Sequence, residues 1–333
     1  MPAARILLTH TPDMRRNYYG EAAFAGLSQL GPVRIHADDA ALSPDGLVQA
    51  AADCDIVVAD RNTPVPASVF QALPGLVAVL RVAVDIRNID VAAASAAGVL
   101  VTQASRSWVP AVSELVLGHM IDIARNISTA TACYRAGGAP PVGHGRQLAG
   151  ATAGIIGYGP LGRRVAELCL AFGMHVVVCD PYTTVDNTAI QQTGLDELLR
   201  KSDFVVPLAV ATPETENLIA APQLALMKPT AYLVNLSRGN LIDENALESA
   251  LDRRAIAGAA LDVGRAPDQM PSPRLARRSD VVATPHIGGL TREGIEGQAL
   301  ETVQQVAEII AGRVPKGAVN AAAAVRLARW VGS

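Results

Sequence analysis

The segment Gly154-Ile155-Ile156-Gly157-Tyr158-Gly159-Pro160-Leu161-Gly162 constrains the fold of this chain more than any other. An apolar run, Ala151 to Ile156, leads straight into three glycines spaced G-x-G-x-x-G. An apolar stripe at helical spacing follows in Leu161, Val165, Leu168 and Phe172, and Gly173 stops it. A second apolar run, Met174 to Cys179, ends on Asp180, about twenty residues beyond the glycines. The pattern predicts strand, tight turn, helix, strand and terminal acid. In such a unit Gly157 allows the turn, Gly159 lets backbone approach a pyrophosphate, and Gly162 lets helix and strand pack closely. Pro160 suits the first helical turn, where no N–H is needed. The free N–H groups and dipole of the helix start attract phosphate, which makes the backbone of Tyr158, Gly159, Pro160 and Leu161 the predicted cradle. A carboxylate at Asp180 accepts ribose hydroxyls and repels a 2′-phosphate, so the expected cofactor is NAD. Three spaced glycines alone also describe a flexible loop; the register of all five parts is what points to a dinucleotide.

Around this unit, apolar runs alternate with amphipathic stretches along nearly the whole chain of 333 residues, long enough for two domains. The first set of predicted strands is Arg5–Thr9, Val33–His36, Ile56–Ala59, Val77–Val82 and Val99–Thr102, with helical patterns such as Gly20–Leu30 and Val91–Ala97 between them. The second set is Ala153–Ile156, Val176–Cys179, Phe204–Leu208, Tyr232–Leu236, Gly258–Val263 and Val281–Thr284. Alternation of this kind predicts an α/β protein with two doubly wound parallel-sheet domains, six strands in the nucleotide-binding sheet and five in the smaller one. A single long helix, Ala111 to Ala132, separates the sets, and Ala136 to Gly145 reads as a loop. A helix from Glu293 to Ala311 is expected to cross back to the first domain. The predicted division is therefore 1–103 plus 291–333 for the substrate domain and 104–290 for the nucleotide domain. A net charge of −3 gives no reason to expect nucleic acid or an acidic membrane as partner, and no apolar run reaches the length of a membrane span. Four cysteines without metal spacing suggest reduced thiols in a cytoplasmic protein and no metal site.

Three polar residues fall just beyond predicted strand ends, where open α/β sheets bind ligands. Arg238 follows the strand Tyr232–Leu236 in Asn235-Leu236-Ser237-Arg238-Gly239, and a guanidinium can hold a carboxylate in a two-pronged contact. A loop arginine on the surface is the plainer reading. His286 follows Val281–Thr284 in Thr284-Pro285-His286-Ile287-Gly288-Gly289, and imidazole moves protons near neutral pH. Asp262 closes the apolar strand Gly258–Val263; an acid buried there needs partners, whether a cofactor amide or a structural cap.

These segments together resemble the D-isomer-specific 2-hydroxyacid dehydrogenase family, over about Ile56 to Asn320. Gln147-Leu148-Ala149-Gly150 leading into the glycines, Asn235–Gly239 followed by Leu241-Ile242-Asp243-Glu244, and Thr284–Gly289 carry the likeness. The resemblance implies a Rossmann NAD-binding domain, a discontinuous flavodoxin-like substrate domain and a homodimer formed through the nucleotide domain. It implies that Arg238 binds and polarises a 2-oxo acid and that His286 exchanges a proton with the carbonyl oxygen. It also implies that Asp262 holds the nicotinamide carboxamide, with Thr212, Arg238, His286 and Gly288 along the cofactor.

Two departures from the family pattern stand out. The family places a glutamate five residues beyond the position of Asp262 to orient the histidine; here that residue is Pro267, and either the neighbouring Asp268 or Asp85 can replace it. In the substrate loop the family's second glycine aligns with Asp85, beside Val84. Either Arg87 neutralises that carboxylate, or the substrate brings a positive or hydrogen-donating group to it. Trp108 lines a substrate pocket or packs at a hinge. The leading expectation is an NAD-dependent oxidoreductase acting on small 2-oxo or D-2-hydroxy acids. An NAD(H)-sensing or corepressor-like protein without turnover, and a methyltransferase using the glycine loop, remain the alternatives.

Overall fold

The computed structural model describes residues 4–330, apart from the side chain of Asp268. It divides into two compact units: the chain up to Ser107 together with the chain from Arg292 onward, and the contiguous stretch Trp108–Thr291.

The first unit is built on five parallel strands, β1 (Ile6–Leu8), β2 (Val33–Ile35), β3 (Ile56–Ala59), β4 (Ala78–Arg81) and β5 (Leu100–Gln103), in the order β2-β1-β3-β4-β5. Successive side chains of a strand face opposite sides. Ile6, Leu8, Ile56 and Val58 accordingly enter one core layer, and Leu7, Val57 and Ala59 enter the other. Two covering helices start at a side-chain cap followed by proline: Thr11 accepts from the Met14 amide ahead of Pro12–Tyr18, and Ser43 from the Gly46 amide ahead of Pro44–Ala50. The helix Arg292–Ile310 lies in this unit against the helix Glu21–Leu30, where Gly26 leaves room for Val303. It is tied down by a Tyr19–Thr302 hydroxyl pair at 2.9 Å and by Gln305, whose amide donates to the Gln103 carbonyl at 2.9 Å.

The second unit holds seven parallel strands: β6 (Thr152–Ile156), β7 (His175–Cys179), β8 (Ile190–Gln192), β9 (Phe204–Pro207), β10 (Tyr232–Asn235), β11 (Gly258–Leu261) and β12 (Val281–Ala283). Their order is β12-β11-β10-β9-β6-β7-β8, so the winding reverses between β6 and β9. Such a switch point opens a crevice at the carboxyl ends of the strands. The helix Val109–Arg125 covers one face with Val112, Val116, Met120 and Ile123. Two parallel α/β sheets were thus anticipated, and two details were not. The nucleotide-binding sheet has a seventh, polar edge strand, β8. The single helix expected over Ala111–Ala132 breaks into Val109–Arg125 and Ile127–Arg135, because Asn126 adopts a left-handed φ of 53° and Asp122 turns its carboxylate to the Ser128 amide at 2.8 Å.

Candidate functional site

The three glycines of the first loop face three different surroundings. Gly157 has φ 100°, and a Cβ there would stand 2.8 Å from the Ala209 backbone nitrogen. A Cβ on Gly162 would stand 2.1 Å from the Gly157 carbonyl oxygen, so helix Pro160–Ala171 and β6 meet backbone to backbone. A Cβ on Gly159 would meet nothing within 4 Å beyond its own stretch of chain. The protein itself requires a glycine at the first and third positions, while the second opens onto free space at a helix start. That space is what a pyrophosphate needs.

Asp180, just past β7, closes the cradle. Its Oδ2 accepts from the Tyr158 amide at 2.6 Å, and its Oδ1 from the amides of Tyr182 and Thr183 at 2.8 and 2.9 Å. Burial pushes its pKa up, but these three donors, with Arg163, outweigh burial and hold it below the ordinary carboxylate value. Arg163 was not foreseen. No arginine stands in Pro181-Tyr182-Thr183-Thr184 directly after Asp180, yet the fold brings this one in from the helix Pro160–Ala171, its guanidinium 4.5 Å over the Tyr158 ring. On the other side of the switch point, the loop after β9 carries Thr212, exposed, its amide donating to Thr215 Oγ1 at 2.8 Å.

The ends of β10, β11 and β12 lie side by side and their loops interlock. Asn235 shapes the first of them: its Oδ1 accepts from the Ser237 amide at 3.1 Å and its Nδ2 donates to the Arg238 carbonyl at 2.9 Å. Arg238 is exposed, with Nη1 donating to the Ser237 carbonyl at 2.8 Å. Gly239 then packs so tightly on the loop after β11 that a Cβ would stand 2.1 Å from the Gly264 carbonyl oxygen. Asp262, 1% exposed, joins the second loop to the third. Its Oδ1 accepts from the Thr284 hydroxyl at 2.6 Å and the Ile287 amide at 2.9 Å, and its Oδ2 from the Gly288 amide at 2.8 Å. Gly288 is needed here, since a Cβ would stand 2.9 Å from that same Oδ2. Between these anchors His286 sits half-buried with φ 54°, a conformation that side-chain-bearing residues rarely adopt.

Trp108 packs partly buried against the core of the second unit and touches the same turn, 3.4 Å from where a Cβ on Gly289 would stand. Pro267 opens a 3-10 turn, Pro267–Gln269, and brings no carboxylate; the Asp268 side chain lies outside the described residues. Val84 and Asp85 belong to the first unit, on the loop after β4. Asp85 pairs with Arg87, Nη2 to Oδ2 at 2.6 Å and Nε to Oδ1 at 2.9 Å, and this guanidinium holds the carboxyl down at about 2. Its charge is met within its own loop. His119 also escaped the sequence reading: it is 3% exposed in the apolar stripe of the helix Val109–Arg125, with Nε2 3.1 Å from Thr284 Oγ1. A polar ring at a stripe position was the only available signal. Among the described residues no group of His, Cys, Asp or Glu is placed to hold a metal ion.

Glycine loop, switch point and closing acid define a dinucleotide-binding α/β protein. Residues 117–288 match the model of the D-isomer specific 2-hydroxyacid dehydrogenase NAD binding domain. The chain is 33% identical over 307 residues to D-3-phosphoglycerate dehydrogenase of Methanocaldococcus jannaschii, covering 90% of this chain and 57% of that protein. It is 32% identical over 270 residues to hydroxypyruvate reductase of Thermotoga maritima, covering 80% and 88% of the two chains. The NAD-complexed D-isomer specific 2-hydroxyacid dehydrogenase of Lactobacillus delbrueckii superposes with a TM-score of 0.80 at 26% identity, covering 95% of this chain and 99% of that one. This chain belongs to the D-isomer specific 2-hydroxyacid dehydrogenase family, and its second unit contains the NAD-binding domain. It spans little more than half the length of the phosphoglycerate dehydrogenases it matches.

Proposed function

We propose that the protein is an NAD-dependent oxidoreductase that interconverts a small 2-oxo acid and its D-2-hydroxy acid. The observation that supports this reading is the interlock of three loops at the ends of the neighbouring strands β10, β11 and β12, the loops that carry Arg238, Asp262 and His286. Arg238 holds the substrate carboxylate and polarises the carbonyl. His286 gives a proton to the carbonyl oxygen in reduction and takes it back from the hydroxyl in oxidation. Bound NADH supplies the hydride that C2 receives. Three of the roughly four acceptor sites of the Asp262 carboxylate are filled, which leaves about one for the nicotinamide carboxamide. Tyr158, Gly159, Pro160 and Leu161 offer the pyrophosphate their helix-start backbone, Thr212 and Gly288 flank the cofactor, and Asp180 selects NAD.

Asp268, next to Pro267, takes the role of orienting His286. Val84, Asp85 and Trp108 contact substrate. The strand order of the first unit, β2-β1-β3-β4-β5, supports a flavodoxin-like substrate domain. No helix among the described residues is long and apolar enough to cross a membrane. We read the protein as a cytoplasmic homodimer. The names of the phosphoglycerate dehydrogenase and hydroxypyruvate reductase relatives support a 2-oxo or 2-hydroxy acid substrate.

The test is NADH oxidation across 2-oxo acids varied in size and charge, with Arg238→Ala alongside. We expect turnover of at least one acid, and a loss of about a hundredfold or more in kcat/KM for the variant at unchanged NADH affinity. Stoichiometric NADH binding with no turnover across the series would instead favour a sensor.

A further inference from the structure

A buried polar chain runs beneath the His286 turn, and the reaction as read above makes no use of its far end. It starts at His119, which interrupts the stripe Val112, Val116, Met120 and Ile123 on the helix Val109–Arg125. His119 Nε2 lies 3.1 Å from Thr284 Oγ1, and that oxygen lies 2.6 Å from Asp262 Oδ1. The direction of each bond follows from the last member. Asp262 Oδ1 already accepts the Ile287 amide, so the Thr284 hydroxyl must give its one proton to the carboxylate. Toward His119 the hydroxyl then has only lone pairs to offer, and the ring must donate from Nε2. Burial lowers the pKa of this histidine, while Asp262, Asp122 and a hydrogen bond to the Leu115 backbone raise it; the contact with Thr284 is what places a proton on Nε2.

We propose that His119 is a positioning residue for the His286 turn: its Nε2–H fixes the Thr284 hydroxyl, the hydroxyl fixes the Asp262 carboxylate, and the carboxylate holds the two amides that follow His286. The turn requires such holding. His286 is left-handed at φ 54°, and a residue other than glycine keeps that conformation only where its surroundings over-determine it. With an apolar residue at 119, the Thr284 hydroxyl would lose the donor that aims it, and the carboxylate would be free to rotate away from Ile287 or Gly288. The proposal rests on reading His286 as the proton-transfer group, and its test separates the two.

His119→Leu suits the apolar stripe but cannot donate, whereas His119→Gln can present an amide N–H near the position of Nε2. Amide hydrogen exchange at Ile287 and Gly288, read without cofactor, should accelerate about tenfold or more in His119→Leu and return most of the way in His119→Gln. Other amides of the unit should hold their rates. On the best 2-oxo acid, His119→Leu should lower kcat about tenfold with KM and NADH affinity little changed, and His119→Gln should recover most of that loss. Unchanged exchange at both amides overturns the proposal, as do a uniform rise across the unit and a glutamine variant as impaired as the leucine one. Accelerated exchange with unaltered kcat also overturns it. If the unaltered protein turns over no 2-oxo acid, the enzymatic reading falls, and the exchange rates still decide whether His119 holds the turn.

Discussion

On the proposed reading, Asp180 does two jobs with one carboxylate. Its bonds to the amides of Tyr158, Tyr182 and Thr183 build the cradle, and roughly one acceptor site remains for a ribose hydroxyl. Its charge, held on by those donors, opposes a 2′-phosphate. We therefore expect NADH to be preferred over NADPH by at least about tenfold in kcat/KM, about 1.4 kcal/mol. Arg163 refines the expectation. In Asp180→Ala the guanidinium above Tyr158 loses its nearby carboxylate and can attract the extra phosphate, so NADPH use should rise. Adding Arg163→Ala should remove that gain. Steady-state kinetics with both cofactors on the three proteins checks this, and equal use of the two by the unaltered protein refutes it. A second residue-scale expectation concerns the acid beside Pro267. If Asp268 orients His286, Asp268→Asn should cost about a hundredfold in kcat, and a nearly silent change would release it from that role.

At the scale of elements, the glycine loop makes the sharpest prediction, because the helix Pro160–Ala171 and β6 touch through it. Gly162→Ala puts a methyl group 2.1 Å from the Gly157 carbonyl oxygen and should destabilise the unit by about 2–3 kcal/mol while abolishing NADH binding. Gly159→Ala meets nothing within 4 Å and should leave the denaturation midpoint unmoved, yet weaken NADH binding at least about tenfold. Urea titration and NADH fluorescence titration together separate a glycine kept for packing from one kept for a ligand. This part of the molecule was legible in the sequence because turn, helix and strand each leave a local mark. The apolar runs of β6, β7 and β9 to β11 were legible for the same reason: buried parallel strands are apolar throughout. The strand Ile190–Gln192 was not, since an edge strand with two glutamines has one buried side chain and no period to detect. The break at Asn126 left only an asparagine within a helical pattern. Arg163 and His119 became visible only through the fold, because their partners, Tyr158 with Asp180 and Thr284, are set by packing rather than spacing. The sites of Arg238, Asp262 and His286 at strand ends could be read, but the interlock of their loops could not.

For the molecule as a whole, acid should reach the first unit through a buried histidine. His10, 2% exposed with an unpartnered Nδ1, is pulled down from 6.5 to about 4 by burial, with Asp60 opposing and Arg81 and Arg15 reinforcing. Between those values the unfolded chain binds the extra proton and the folded one does not, so stability falls as pH drops from about 6.5 toward 4 and is level above it. The lowered carboxyls of Asp180 and Asp203 act later, releasing their share only as pH falls through their depressed values. Calorimetry should show a melting temperature that declines across the first window and a shallower decline in His10→Gln; parallel curves would exonerate the histidine. The return of the chain to its first sheet also has a consequence in time. Ala23 and Leu27 share a core layer with Ala299, Val306 and Ile309, and Thr102 hydrogen-bonds Gln305. A ribosome delivers one side of that layer early and the other only after Trp108–Thr291 has emerged whole. The sheet of the first unit must wait with an apolar flank uncovered while the nucleotide-binding unit emerges behind it, so of the two units the one whose synthesis starts earlier completes its core later.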